Sequence, residues 1–258
     1  MPKSVNDALP HEIDYNQDAY NYPNLYVVVP YNPTMDKKSH HPWNVTPAQA
    51  RDIQNSLRSK VRCRGSLSSP HYVAGVDISI RDNRAIAAIP VFRFQDLEIV
   101  DLATVTQPVP FPYIPGLLSF REIPSILAAY KKLKIAPDLL LIDGQGYAHP
   151  RRCGLASHLG VLLDKPTIGC AKTRFIGTHE EPHEEAGSYT DLWDKGELIG
   201  AVLRTRTNVN PLYISVGHKL DLPHALDLVL HCCTGYRLPE PTRLAHQAAA
   251  GNLHFPLT

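Results

Sequence analysis

Two aspartates lie in apolar segments that have the composition of buried strands. Asp143 follows the run Leu-Leu-Leu-Ile at 139–142 and precedes the turn Gly-Gln-Gly, whereas Asp77 lies inside the apolar segment 72–80. A charged side chain in such surroundings is costly unless it is paired or bound to a cation. Mg²⁺ prefers oxygen ligands and usually takes one or two carboxylates. We therefore predict a magnesium site built from Asp77 and Asp143.

Other residues could complete the chemistry of this site. Glu122 ends the sequence Ser-Phe-Arg-Glu, which fits either a capping box that keeps the carboxylate charged at a helix start, or a further metal-site carboxylate. Lys172 follows the short strand 167–170, where a cation could meet a phosphate. Two histidines are alternative ligands, namely His246 on the last predicted helix and His218 at the end of a predicted strand.

The loop 112–116, Pro-Tyr-Ile-Pro-Gly, combines stiffness with an apolar tip. Two interpretations stay open for it. The loop could fold back on the core, or it could act as a wedge between stacked bases, since nucleic-acid-binding proteins use apolar side chains to unstack a duplex. A basic rim around such a site could be formed by Arg151, Arg152, Arg174, Arg204 and Arg206.

Residues 179–183, His-Glu-Glu-Pro-His, match the H-E-x-x-H pattern of zinc proteases. That pattern binds zinc on a helix, which places both imidazoles on one face. Pro182 inside such a helix would lose a hydrogen bond and clash with the preceding turn. We therefore predict a loop at this segment and reject zinc proteolysis.

Composition excludes several classes of protein. The chain has 258 residues, of which 43% are hydrophobic and 20% charged, and its formal net charge is +1, so any nucleic acid must be held by a local patch. Five cysteines without C-x-x-C spacing argue against a disulfide framework or a zinc ribbon. No signal-peptide pattern and no apolar stretch of roughly 20 residues is present. We expect a cytoplasmic protein without a membrane span.

The hydrophobic pattern predicts an α/β fold, in which one mixed sheet is flanked by helices on both faces. Residues 1–40 are predicted to form an N-terminal extension, poorly ordered or peripheral, with a possible edge strand at 25–29. Residues 41–258 are predicted to form one catalytic domain, whose first helix begins at Thr46. The other predicted elements are strands at 72–80, 84–93 and 97–106, a helix at 119–133, a strand at 138–143, a helix at 151–163, a strand at 166–171, a polar loop at 177–187, strands at 197–206 and 211–216, and helices at 222–233 and 240–250.

Together these motifs resemble the endonuclease V family, the nucleases of deaminated nucleic acid. The resemblance extends from about Thr46 to Ala250, and it is weakest in the first 40 residues and in the loop 179–185. It rests on the segments Gly75–Asp77, Pro112–Glu122, Ile142–Gly146, His149–Arg152, Gly169–Lys172, Gly217–Lys219 and Tyr236–Arg243.

The resemblance implies a ribonuclease-H-like fold and a Mg²⁺-dependent cleavage, with Mn²⁺ able to substitute. The bond cleaved would be the second phosphodiester bond 3′ to inosine, which leaves 3′-hydroxyl and 5′-phosphate ends. Asp77 and Asp143 match the magnesium ligands of the family, and Glu122 matches its catalytic glutamate. The other matches are Lys172 near the scissile phosphate, His246 as the histidine or aspartate of the C-terminal helix, Tyr113, Ile114, Pro115 and Gly116 as the strand-separating wedge, and Leu118 and Gly144 in the base pocket.

DNA that contains deaminated bases is the partner that we predict for a monomeric enzyme, because His-Pro-Arg-Arg at 149–152 resembles bacterial members of the family. Two alternatives stay open. The protein could cleave inosine in single-stranded RNA, as animal members do, or it could bind deaminated bases without cutting them. The intact set of Asp77, Glu122 and Asp143 argues against the last alternative.

Overall fold

The structure, a computed structural model, describes residues 41–253. The predicted N-terminal extension and its possible edge strand at 25–29 lie outside the described residues. The helices are α1 (Pro47–Arg58), α2 (Leu118–Tyr130), α3 (Leu155–Leu163), α4 (Leu222–His231) and α5 (Glu240–Ala249). The strands are β1 (Tyr72–Arg81), β2 (Arg84–Arg93), β3 (Ile99–Pro108), β4 (Leu139–Ile142), β5 (Thr167–Ala171), β6 (Tyr189–Asp194), β7 (Glu197–Leu203) and β8 (Leu212–His218).

The strands form one 8-stranded sheet in the order β3-β2-β1-β4-β5-β8-β7-β6. The predicted antiparallel meander is present as β1, β2 and β3, and Asp82 and Asn83 make its first turn with φ values of 48° and 56°. Positive φ at both turn residues is typical of the hairpin turns that match the strand twist. β1, β4 and β5 are parallel to one another, whereas β8, β7 and β6 continue the sheet in antiparallel pairs. The predicted mixed α/β sheet is therefore confirmed.

Alternation along β1 and β4 separates the core into two layers. Even-numbered side chains such as Val76 and Ile142 pack in one apolar cluster with residues of α2 and α3. Odd-numbered side chains such as Val73 and Leu141 pack in another cluster, which contains residues of α4. The central strands are covered on both faces, which explains why β4 consists of apolar residues alone.

Helix α5 lies directly on β1 at Gly75. A Cβ atom added at Gly75 would lie 1.8 Å from the carbonyl oxygen of Pro241, at the start of α5. Glycine at this position therefore allows the helix to approach the strand backbone closely. This approach fixes where the later turns of α5, and thus His246, meet the sheet.

Three sequence predictions differ from the structure. The strand β6 was missed, although it forms a hairpin with β7 through Lys195 and Gly196, both with positive φ. The predicted helix at 151–163 begins only at Leu155, because Arg152 adopts φ 52° and turns inward to Asp194 and Glu197. The predicted capping box at Ser119 is wrong, because α2 begins at Leu118 without a side-chain cap and the Ser119 hydroxyl contacts Gln54 and His158.

Residues 41–253 bear on three features that the sequence argued against, namely a membrane span, disulfide bonds and a zinc-protease helix. No helix within residues 41–253 is long and apolar enough to cross a membrane. The five cysteines, all of which lie in this range, are free thiols. The segment 179–183 is not helical, so its histidines do not form a zinc-protease site.

We predict that Gly75→Ala destabilises the protein by about 1–3 kcal/mol, because the added methyl group must displace the backbone of α5. Urea denaturation followed by circular dichroism measures this change. Ser79→Ala, a substitution at a partly buried position of the same strand, should change the free energy of unfolding by much less. Equal effects of the two substitutions would contradict the proposed role of the close approach.

Candidate functional site

The parallel pairing of β1 and β4 places two aspartates next to each other. The register pairs Val76 with Ile142, and the backbone N–H of Asp143 donates to the carbonyl of Val76 over 3.1 Å. The next residue along each strand is an aspartate, so Asp77 and Asp143 are neighbours across the two strands. Both continue the odd-numbered set of their strands, on the face that α5 covers.

Helix α5 brings His246 to this pair. Its Nδ1 atom lies 2.7 Å from Oδ2 of Asp77, and ligand atoms of Asp77, Asp143 and His246 all lie within 4.8 Å of one another. His218, the alternative histidine, is 2% exposed and lies at the end of β8, where it pairs with Thr167 at the start of β5. Asp143 follows the opposite end of the neighbouring strand. Of the two histidines, the structure brings only His246 to the aspartates.

Lys172 supplies a positive charge at the same place. It follows β5 directly, and its Nζ atom donates a hydrogen bond to Oδ2 of Asp143. The carbonyl of Lys172 accepts a hydrogen bond of 2.7 Å from Arg237, whose guanidinium also donates to the carbonyls of Asn210 and Pro211. Arg237 therefore fixes the backbone that carries Lys172, a role that the sequence analysis did not assign.

Glu122 lies one turn into α2, close enough to both aspartates for their charges to act on it. Burial, together with the charges of Asp77 and Asp143, raises the pKa of Glu122 to about 8. The expectation that a helix start would favour its charged form is therefore wrong. Burial also raises the pKa of Asp77, with the charge of Asp143 as the next cause and the hydrogen bond from His246 opposing it.

The donor set fits a divalent cation. Two carboxylates and an imidazole surround one point, and a further carboxylate lies nearby. Hard cations prefer oxygen ligands, and a histidine nitrogen is compatible with first-row divalent metals. Burial, and after it the charges of neighbouring carboxylates, raise the pKa of Asp77 and Glu122, and a cation at this point would stabilise the charged forms of both.

A cavity of about 380 Å³ opens beside the acidic cluster. Its walls include Glu122, Asp143 and Lys172, and its volume falls in the usual range of ligand sites, roughly 300–1,000 Å³. Phe175 and Arg174 also line it, although the sequence analysis did not single out Phe175. Of the residues predicted to contact nucleic acid, those that line the cavity are Tyr113, Pro115, Gly116, Leu118 and Gly144.

The loop 112–116 is partly folded back on the core, which is one of the two interpretations made from the sequence, and the wedge stays a prediction. Ile114 packs against an apolar cluster that includes Phe111, Leu117 and Phe120, as a loop folded on the core would. Tyr113 is 66% exposed at the mouth of the cavity. The loop is therefore anchored through Ile114, while the ring of Tyr113 stays exposed beside the cavity.

The predicted basic rim is wrong for two of its arginines. Arg152 is buried and pairs with Asp194 and Glu197 at 2.8 and 2.7 Å. Arg204 is also buried and donates to Glu181 and to backbone carbonyls. Both guanidinium groups can be buried because protein oxygens accept the hydrogen bonds that they donate. Neither group is therefore available to a ligand.

We predict that Glu122→Gln stabilises the metal-free protein at pH 9 by about 2 kcal/mol more than at pH 5. The folded pKa of about 8 lies above the unfolded value of 4.5, so the wild-type protein loses stability as the pH rises through this window. A shift of this size corresponds to at most about 5 kcal/mol, and contact with the open cavity reduces it. Urea denaturation in EDTA at both pH values measures the difference. A stabilisation that is independent of pH would contradict the assignment.

Comparison with known proteins identifies the family. The family model described as Endonuclease V matches residues 55–247, a range that contains the acidic cluster, Lys172 and His246. Endonuclease V of Rippkaea orientalis is 54% identical over 209 residues, which cover 80% of this chain and 91% of that protein. The crystal structure of endonuclease V from Streptomyces avermitilis superposes with a TM-score of 0.78 at 43% identity, over 81% of this chain and 93% of that one.

A complex of a more distant relative includes nucleic acid. Endonuclease V of Ciona intestinalis, bound to a 23mer DNA that contains an inosine followed by a ribo-adenosine, superposes with a TM-score of 0.71 at 29% identity. The superposition covers 80% of this chain and 98% of that chain. On the evidence of the matched range, the identity and the shared fold, this chain belongs to the endonuclease V family.

Proposed function

We propose that this protein is a metal-dependent endonuclease of DNA repair that recognises deaminated bases, with deoxyinosine as the typical lesion. It cleaves the second phosphodiester bond 3′ to the lesion and leaves 3′-hydroxyl and 5′-phosphate ends. The observation that carries this proposal is the convergence of Asp77, Asp143 and His246 beside a cavity that the exposed Tyr113 borders. The complex of the Ciona intestinalis relative with inosine-containing DNA supports the substrate class.

Asp77, Asp143 and His246 would hold the divalent cation, for which Mg²⁺ is the proposed and Mn²⁺ the substitute ion. When bound, such a cation neutralises phosphate charge and lowers the pKa of a water molecule. Lys172 donates to Asp143 and is therefore placed to stabilise the negative charge that develops on the phosphate. Glu122, which lines the same cavity, would orient the attacking water.

The cavity would receive the lesion after it leaves the base stack. Turning a base out of a duplex costs a few kcal/mol, and least for a base that is mispaired or damaged. Tyr113 would enter the gap and replace the lost stacking, while Leu118 and Gly144 form the wall beside the base. The protein would therefore select a lesion both by the ease of opening the duplex and by contacts with the extruded base.

Cleavage of inosine in RNA is the second candidate function. The DNA bound to the Ciona intestinalis relative carries a ribo-adenosine after the inosine, so that relative binds a strand with a ribonucleotide at this position. A DNA and an RNA oligonucleotide, each with one inosine, compared in one Mg²⁺ assay with an EDTA control, distinguish the two candidates. Selective binding without any product would favour a binding module instead.

We predict that Asp77→Asn lowers cleavage of inosine-containing duplex DNA by at least about 10²-fold, because a carboxylate ligand is lost. Binding of the DNA should change little. Cleavage is measured with an end-labelled oligonucleotide, and Mn²⁺ binding by electron paramagnetic resonance should weaken in parallel. Asp191→Asn, at an exposed position on β6, is the matched control and should keep wild-type activity. Full activity of the Asp77 variant would refute the metal assignment.

We predict that Tyr113→Ala lowers the cleavage of duplex DNA by about 10-fold or more, because stacking of an aromatic ring on a base contributes roughly 1–3 kcal/mol. Cleavage of single-stranded DNA should change by much less, since no duplex has to be opened. Tyr189→Ala removes another exposed tyrosine, on β6, and serves as the control. An equal loss on both substrates would show that Tyr113 does not act as a wedge.

A further inference from the structure

The carbonyl of Gly116, at the end of the wedge loop 112–116, is the acceptor of three hydrogen bonds. The donors are Gln54 Nε2 at 3.1 Å, His149 Nε2 at 3.0 Å and Arg151 Nη2 at 2.7 Å. Gly116 has a φ of 78°, so this carbonyl direction belongs to a backbone conformation that other residues rarely adopt. The loop is therefore fixed at one end by polar contacts, in addition to the packing of Ile114.

His149 is held in one tautomer by its two contacts. Its Nδ1 atom accepts from the backbone N–H of Arg151 over 3.2 Å, so Nε2 carries the proton that it donates to Gly116. Burial and the neighbouring charge of Arg151 lower the pKa of His149 to about 3, which keeps the ring neutral. Near neutral pH the neutral ring of His149 can therefore donate to the carbonyl of Gly116 without gaining or losing a proton.

Gln54 differs from the other two donors because it comes from α1, whereas His149 and Arg151 lie in the segment between Asp143 and α3, and it is 1% exposed. Its Nε2 group also donates to the carbonyl of Cys153 over 3.1 Å and lies 3.3 Å from the hydroxyl of Ser119. Its Oε1 atom accepts from Arg151 Nε over 2.6 Å. Carbonyls only accept and a guanidinium only donates, so these contacts determine which end of the amide is which.

The four partners of Gln54 lie in three parts of the candidate site, since Arg151 and Cys153 belong to the same segment. Gly116 ends the wedge, and Ser119 lies one turn before Glu122 on α2. Cys153 lies in the segment that connects Asp143 to α3. One buried amide thus links the wedge loop to two segments that carry the acidic residues.

We propose that Gln54 is a positioning residue that holds the wedge rigidly against the segments that carry the acidic residues. When a duplex binds, the duplex then opens and the loop does not bend. This inference rests on the proposed function, since it concerns the same nucleic-acid substrate. Gln54 is 1% exposed and lies in the wall of the cavity, but both ends of its amide are occupied by protein partners. We therefore infer that it acts through the loop that it holds. A preformed wedge saves the cost of ordering the loop on binding, and that saving matters most where base pairs must be opened.

The test compares duplex and single-stranded DNA, each with one inosine. We expect Gln54→Leu, which removes all four contacts, and Gln54→Glu, which keeps only the acceptor for Arg151, to lower the ratio of kcat/KM on duplex to kcat/KM on single strand by about 10-fold. The ratio is the readout because a loss of folded protein lowers both values together. If Gln54→Leu does not fold, Gln54→Glu decides the outcome alone.

Gln49→Ala is the matched control. It changes the same residue type on the same helix and removes one half of the capping box with Thr46, in which the Thr46 N–H donates to Gln49 Oε1 over 2.9 Å. The loss of this hydrogen bond costs up to about 1 kcal/mol and leaves the contacts of Gln54 intact. We expect this variant to lose thermal stability without a change in the substrate ratio.

A double-mutant cycle with Tyr113→Ala identifies the route of the effect. If Gln54 acts through the wedge, its substitution should have no further effect on the ratio once Tyr113 is removed. A loss of the ratio that persists in the Tyr113→Ala background, or an equal loss on both substrates in the single variants, would overturn the proposal and leave Gln54 as a stabilising core residue.

A measurement without substrate separates this inference from the proposed function. Hydrogen exchange of the backbone amides in the loop 112–117 should be at least 10-fold faster in the Gln54 variants than in Gln49→Ala. Unchanged exchange would overturn the positioning role even if inosine is cleaved. Failure of the wild-type protein to cleave inosine, with exchange accelerated as expected, would instead refute the proposed substrate.

Discussion

The parallel pairing of β1 with β4 is the contact on which the candidate active site depends. Its register makes Asp77 and Asp143 neighbours, with ligand atoms within 4.8 Å. Two like charges at that separation repel by roughly 3 kcal/mol at an effective dielectric constant of about 20. The sheet maintains the pair because apolar packing on both faces of β1 and β4 fixes the strands independently of the charges they carry. The repulsion between the two aspartates thus lowers the stability of the folded protein at this site.

The surrounding elements each offset or use this excess negative charge. Lys172 follows β5 and donates to Asp143, and His246 reaches Asp77 from α5. The position of α5 depends in turn on Gly75, since a larger residue would meet the backbone at Pro241. The chain therefore brings together one cation, one imidazole and the carboxylates. They come from strands and helices that are far apart in sequence but adjacent in the folded protein.

The chain balances 26 basic against 25 acidic residues, so the positive charge offered to a ligand depends on local placement. Lys172 and Arg174 line the cavity, and Arg151 supports the wedge loop. Arg152 and Arg204 are buried in ion pairs, although their positions in the sequence suggested a surface role. An arginine in a loop has the same local sequence signal in both cases. Only the presence of facing acids and carbonyls decides whether its charge is available to a ligand.

The amino-acid sequence alone determined the mixed α/β sheet, the two strand aspartates and the stiff aromatic loop, because apolar runs, isolated carboxylates and prolines carry their physical meaning locally. It left open the choice between His218 and His246, and it predicted the charge of Glu122 and the start of α3 wrongly. Those features depend on neighbours supplied by other elements: the register of β4 on β1, the close approach of α5 at Gly75, and the hydrogen bonds that draw Ser119 toward Gln54 and away from a capping box. Tertiary structure decided them because charge and hydrogen bonding depend on distances in space, whereas hydrophobic periodicity can be read from the order of residues along the chain.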